Sequence, residues 1–245
     1  APRPRRAAQA RAVGIVSDRD GIPFDAGAVD WPAVRAALDE TGFAVTAPLL
    51  GPESCRRLCA LYDDPSVPFR ATIDLARHGF GRGEYRYFEH PLPGVVRALR
   101  ESFYVQLAPV ANAWAERLGE VPDWPEDLET LTSRCREAGQ ARPTPLLLRY
   151  RKGDYNCLHQ DLYGPLHFPL QVVILLSEPG VAFEGGELIL VEQRPRMQSR
   201  PMVARPAQGA AVIFPVRERP RQGKRGHHRV IFRHGVAKLV SGERT

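Results

Sequence analysis

From Thr144 to Thr245 no apolar run keeps a helical period. Val172-Val173-Ile174-Leu175-Leu176, Glu187 to Val191 and Ala210 to Phe214 are short, and Gly185-Gly186, Gly209 and several prolines separate them. Glycine and proline interrupt helices, whereas strands need only a few residues between turns. Evenly spaced short strands with this punctuation predict a sandwich or jelly roll over residues 141–245. Within it, Thr144 to Arg151, Tyr155 to Asp161, Pro169 to Ser177, Arg229 to His234 and Val236 to Val240 read as strands.

The preceding residues have a different texture. Asp30-Trp31-Pro32 is an N-cap followed by an early proline, and Val34 and Leu38 supply the apolar stripe of a helix that Gly42 ends. Phe43-Ala44-Val45 reads as a strand, and Pro52 to Leu61 as a second helix with Cys55, Leu58, Cys59 and Tyr62 near one face. In Val95 to Leu118, apolar residues recur at three- and four-residue steps, with Pro109 expected to kink or divide the helix. A last helix is expected from Pro125 to Ala138, stopped by Gly139. Residues 1–12 are basic without apolar periodicity and read as a mobile arm. The expected organisation is α+β: the arm, a helical region over 13–140 packed outside the sheet, and a β-rich core over 141–245.

The chemistry concentrates after the turn Lys152-Gly153-Asp154. On a strand, residues two apart share a face, so His159 and Asp161 project together and Gln160 points away. An imidazole and a carboxylate side by side are two ligands of a facial-triad Fe(II) site, which keeps open positions for other reactants. His-x-Asp is a common tripeptide, and a third ligand must come from a distant histidine.

Arg149-Tyr150-x-x-Gly153 with Leu158-His159-Gln160-Asp161, and His234-Gly235-Val236-x-x-Leu239-x-x-Gly242, resemble the two metal strands of the Fe(II)/2-oxoglutarate-dependent dioxygenases, in particular AlkB-type nucleic-acid dealkylases. Arg244, ten residues beyond His234, has the spacing of prolyl-hydroxylase-like relatives. Arg77 to Tyr85 and Gln193 to Arg200 are similar to a bacterial family of predicted nucleic-acid-modifying oxygenases. The resemblance implies a double-stranded β-helix, a cupin-like distorted jelly roll. It also implies His159, Asp161 and His234 as Fe(II) ligands, and Arg244 with Tyr150 as the holders of 2-oxoglutarate. O2 would be the second co-substrate. His228, with Lys238 at +10, offers a rival register but lacks the glycine at +8 that Gly242 provides for His234. Leu148 stands where AlkB-type enzymes have asparagine.

The formal net charge of +6 permits an anionic partner such as nucleic acid, although lysine occurs only at positions 152, 224 and 238, an arginine bias that a GC-rich genome also produces. Residues 65–92 interleave arginine, aromatics and glycine, with Arg82, Tyr85 and Tyr87 as candidates for gripping a nucleotide from a substrate lid; a surface hairpin fits the same pattern. Arg217 to Arg229 reads as a glycine-broken basic loop leading into the His234 strand, with Arg219, Arg221 and Arg225 as candidate phosphate contacts. No apolar run approaches a membrane span and no signal-peptide pattern is present, so a cytoplasmic location without a membrane partner is expected. The four cysteines match neither a zinc pattern nor a disulfide framework and are expected to be reduced and mostly buried.

Overall fold

The computed structural model describes residues 21–245; the arm expected over 1–12 lies outside them. Helix α1 (Trp31–Glu40) starts where its N-cap places it, with Asp30 Oδ1 accepting from the Ala33 amide at 3.0 Å. Val34 and Leu38 are its buried residues, and Gly42 turns the chain at φ +91°. After strand β1 (Ala44–Pro48), helix α2 (Pro52–Ala60) buries Cys55 and Leu58.

Strands β2 (Phe69–Asp74), β3 (Gly81–Arg82) and β4 (Glu84–Phe88) precede helix α3 (Gly94–Arg117). That helix runs through Pro109 without dividing. The carbonyl that Pro109 cannot satisfy is that of Val105, an exposed position where water can replace the missing donor. Helix α4 (Leu128–Glu137), capped by Asp127, contacts α3 and buries no residue of its own, so it is not the sheet-packing helix expected.

The remaining strands are β5 (Leu146–Arg151), β6 (Tyr155–His159), β7 (Leu170–Ile174), β8 (Phe183–Gly185), β9 (Leu188–Gln193), β10 (Arg200–Ala204), β11 (Ala210–Pro215), β12 (Glu218–Gly223), β13 (Gly226–Val236) and β14 (Leu239–Arg244). The expected basic loop over 217–229 is instead the β12–β13 hairpin, and the expected last strand from Val236 to Val240 is shifted to β14.

Three antiparallel sheets result, in the orders β1-β11-β7, β10-β9-β13-β6-β3 with β12 also on β13, and β2-β4-β5-β14-β8. Strands from before residue 140 enter all three, through β1 on β11, β3 on β6 and β4 on β5. Residues 65–92 thus contribute β2, β3 and β4 to two of these sheets.

Strand β11 is buried on both faces. Ala211 and Ile213 pack with Leu38, Cys55, Leu58, Phe103, Leu107 and Trp114 in a helix–sheet layer, while Val212 and Phe214 pack between sheets with Leu188, Leu190 and Ala204. Helices therefore cover one face of a sheet whose other face lines the inner core. Truncating a residue such as Ile213 to alanine costs about 2–5 kcal/mol, the usual range for a filled interior. All four cysteines are free, but Cys55 alone is buried and Cys157 is exposed, which corrects the expectation of mostly buried thiols. No helix among the described residues is long and apolar enough to cross a membrane.

Candidate metal centre

Strands β6 and β13 pair antiparallel with His159 opposite His234 and Asn156 opposite Val236. Three steps along β6 thus match two along β13, which is a β-bulge at Cys157 and Leu158. Both bulge residues are exposed. The extra residue reverses the alternation, so Asn156 and His159 turn to the same inner side although they are three apart. Gly235 lies against this bulge, and a Cβ there would approach Asn156 O to 2.7 Å. The His234-Gly235 dipeptide is therefore a packing requirement as well as a motif.

Strand β6 ends at His159, so Asp161 lies beyond the strand that was expected to carry it. Gln160 points away as alternation requires and donates to Phe232 O at 2.7 Å and Arg217 O at 3.3 Å. That anchor returns the chain toward the inner face. Asp161 Oδ1 lies 3.5 Å from His159 Nε2, and Asp161 Oδ2 lies 3.3 Å from His234 Nε2. One ligand atom from each of the three residues falls within 4.8 Å of the others. His234 is buried, while the His159 and Asp161 side chains keep 32% and 23% exposure, leaving one side of the cluster open.

Electrostatics favour the metal-ready forms. Burial opposes the charge of Asp161, but the hydrogen bond and charge of His234, with His159 behind, bring its pKa down to about 2. Desolvation, then the charge of His234, lowers the pKa of His159, so its imidazole is neutral at pH 7. His159 Nδ1 lies 2.7 Å from Cys157 O and donates to it, which leaves the Nε2 lone pair facing Asp161 and His234. The carboxylate has two further partners, Tyr163 OH donating to Oδ1 at 3.1 Å and the Gln171 amide.

Arg244 on β14 pairs directly with Tyr150 on β5. Both are buried, and the Tyr150 hydroxyl accepts from Asn156 Nδ2 at 3.2 Å. Burial pushes the Tyr150 phenol up to about 12 and lowers the pKa of Arg244. Among the described residues Arg244 has no carboxylate partner. A cavity of about 290 Å³ opens beside it, lined also by Leu175, Phe183, Gly186 and Leu188; the triad does not line this cavity.

Of the proposed substrate contacts, Arg82 and Arg225 are exposed and Tyr85 is half-buried. Tyr87 is buried, with the Arg70 guanidinium 4.0 Å over its ring, so it is not a free stacking face. Arg219 is a clear correction: it is fully buried, pairs with Glu192 at 2.9 Å and donates to Asp39 O. Arg221 is half-buried against the same Glu192. His228 stands opposite Arg221 on the hairpin and outside the triad, which removes the rival register. Asn156, Tyr163, Gln171 and Glu192 also contribute here and belong to no motif in the sequence. Only Glu192 carried a legible signal, since Leu188, Leu190 and Glu192 alternate onto one apolar face.

Two histidines and one aspartate within reach of a single ion are the donor set of the facial triad found in non-haem Fe(II) oxygenases. The profile of the Oxygenase-NA family, an oxygenase catalysing oxidative methylation of damaged DNA, matches residues 83–245. The chain belongs to this family. An uncharacterized Mycobacterium tuberculosis protein, found in two strains, is 46% identical over 157 residues, covering 64% of this chain and 67% of its own. Among crystal structures, a Pseudomonas putida prolyl-4-hydroxylase is similar with TM-score 0.46 and 16% identity over 85% of this chain and 98% of its own. A 2OG-Fe(II) oxygenase family oxidoreductase from Burkholderia pseudomallei gives TM-score 0.47 and 19% identity over 87% and 86%.

Proposed function

We propose that this oxygenase hydroxylates a C–H bond of nucleic acid, removing N-methyl groups from alkylated bases, inside a double-stranded β-helix formed by the three sheets. The observation that carries the reading is the convergence of His159, Asp161 and His234 from two paired strands and the loop after one of them. Two imidazoles and a carboxylate are the donor set that ferrous iron takes with positions to spare. His159 and His234 would hold it through Nε2 and Asp161 through its carboxylate. With 2-oxoglutarate and O2, iron supplies the oxidising chemistry that inserts one oxygen atom into the substrate and yields succinate and CO2.

The protein contributes placement and exclusion of water. Arg244 is a buried guanidinium in need of an anion, and a carboxylate can accept from it in bidentate fashion. Tyr150 and Asn156 beside it offer further polar atoms to the distal carboxylate of 2-oxoglutarate. An N-hydroxymethyl product breaks its C–N bond, returning the proton to nitrogen and releasing formaldehyde. A base inside a duplex has to leave the stack before its methyl group can reach the triad.

The family description and the net charge of +6 support nucleic acid as the substrate. The test is succinate formation dependent on added iron, with methylated oligonucleotides, peptides and small metabolites offered in parallel. Formaldehyde released from the oligonucleotides alone is the expected result. Turnover only with peptides would redirect the reading to a protein hydroxylase, and no turnover with any substrate would remove it.

A further inference from the structure

Glu192 is almost wholly buried, and three arginines converge on it. Arg219 Nη2 donates to Oε2 at 2.9 Å, Arg194 Nε to Oε1 at 2.8 Å, and Arg221 Nη1 reaches both oxygens at 3.3 and 3.4 Å. Arg219 is committed to the interior, since it is fully buried and also donates to the carbonyls of Asp39 and Pro220. Three guanidinium charges against one carboxylate leave two in excess. That excess sits on Arg194 and Arg221, whose side chains keep 24% and 25% exposure. Arg194 uses only Nε and Arg221 only Nη1, so the remaining N–H donors of each have no partner among the described residues.

The register places this pair near the triad. Glu192 opposes Phe232, and Leu190 opposes His234, so the carboxylate lies two residues along β9 from the level of His234, about 7 Å. The β9–β10 turn carries exposed Arg196, the first residue of β10 is exposed Arg200, and the β12–β13 turn carries exposed Lys224 and Arg225. Both turns leave the sheet at the end where β6 runs into Asp161. The acid nearest in this hairpin, Glu218, is paired with Arg229.

We propose that Arg194 and Arg221, held from below by Glu192, form a rigid clamp for a backbone phosphate flanking the nucleotide that enters the triad. This inference rests on the nucleic-acid reading above. A fixed pair of guanidiniums with surplus charge suits a phosphodiester, because each can donate two hydrogen bonds to its oxygens without first losing side-chain freedom. Arg219 retained beside Glu192 keeps the buried carboxylate paired when the outer two are changed.

The experiment is fluorescence anisotropy of a labelled single-stranded oligodeoxynucleotide with the full chain from 50 to 200 mM salt. R194Q/R221Q is expected to bind roughly tenfold more weakly at 0.15 M, with a slope of log K against log salt shallower by about 0.7, the value for the one phosphate the pair holds. R194K/R221K should recover most of the slope, and R56Q/R134Q, on α2 and α4, should leave it unchanged. Should the double variant fail to fold, R194Q alone should lower the slope by part of that amount and weaken binding in the same direction, and an R194Q with wild-type affinity and slope would count against the clamp. Wild-type affinity and slope in a folded R194Q/R221Q would overturn the clamp while leaving the nucleic-acid reading intact. Wild-type protein that binds no oligonucleotide yet turns over a peptide would instead overturn that reading, and the clamp with it.

Discussion

His159 and His234 are direct cross-strand partners, their ring centroids 4.2 Å apart, and their separation along the chain is bridged by one antiparallel register. That register depends on Gly235, because the bulge in β6 brings Asn156 O to where a side chain would begin. Gly235→Ala is expected to destabilise the fold by about 1–3 kcal/mol through forced backbone movement. It should also weaken Co(II) binding, because the shift falls on the strand pair that aligns the two imidazoles. Urea denaturation together with metal titration checks both effects; a variant with native stability and affinity would show that the bulge yields freely.

Tyr163 donates to Asp161 Oδ1, leaving Oδ2 toward His234. Partners of a ligating carboxylate typically contribute 10–100-fold to metal affinity. Tyr163 is half exposed, so the lower end applies. Tyr163→Phe is expected to weaken Mn(II) binding about tenfold, read by the EPR signal of free Mn(II), with little change in the melting temperature. Unaltered affinity would assign the phenol to the entrance rather than to the carboxylate.

Glu192 links stability to pH. Burial opposes its charge, but Arg194, Arg219 and Arg221 outweigh this and hold its pKa below the ordinary glutamate value of 4.5. A carboxylate depressed in the folded state contributes stability that is complete above the unfolded pKa and is lost as pH falls through the folded one. Glu192→Gln strands Arg219 without its counter-charge and should cost about 3–5 kcal/mol at pH 7. The difference between wild type and variant should shrink as pH drops below 4.5, which denaturation across pH 3 to 7 measures. A constant difference would show that the carboxylate is not the titrating group.

The sequence made some of this legible for local physical reasons. Asp30, Pro52 and Gly42 mark element ends because caps and positive φ are short-range requirements. Alternation placed Gln160 on the side opposite His159, as found. It failed at Asn156 because the bulge adds one residue to the count, and the sole hint lay in Gly235 on another strand. Arg219 misled for a different reason. Its neighbours in sequence are basic and polar, and its partner Glu192 lies on β9, so a buried ion pair had the local pattern of a solvated loop. Strand β10 went unread because Arg200-Pro201-Met202 offers little alternation of its own.

Arg244 gives the most discriminating test, because its two expected effects have opposite signs. A buried guanidinium without a carboxylate partner is held at a desolvation cost, and burial is the leading influence lowering its pKa. Arg244→Met removes that charge while filling similar space, so the protein without co-substrate should melt higher than wild type. The same change removes charge-assisted hydrogen bonds of which one alone is worth about 1.5–3 kcal/mol, so 2-oxoglutarate binding should fall by at least about 10- to 150-fold. Differential scanning fluorimetry with and without 2-oxoglutarate reads both quantities in one experiment. Wild type should gain stability on adding the co-substrate, and R244M should start higher and gain little. If R244M is instead less stable and still responds fully, Arg244 is a structural cation and the carboxylate binds elsewhere.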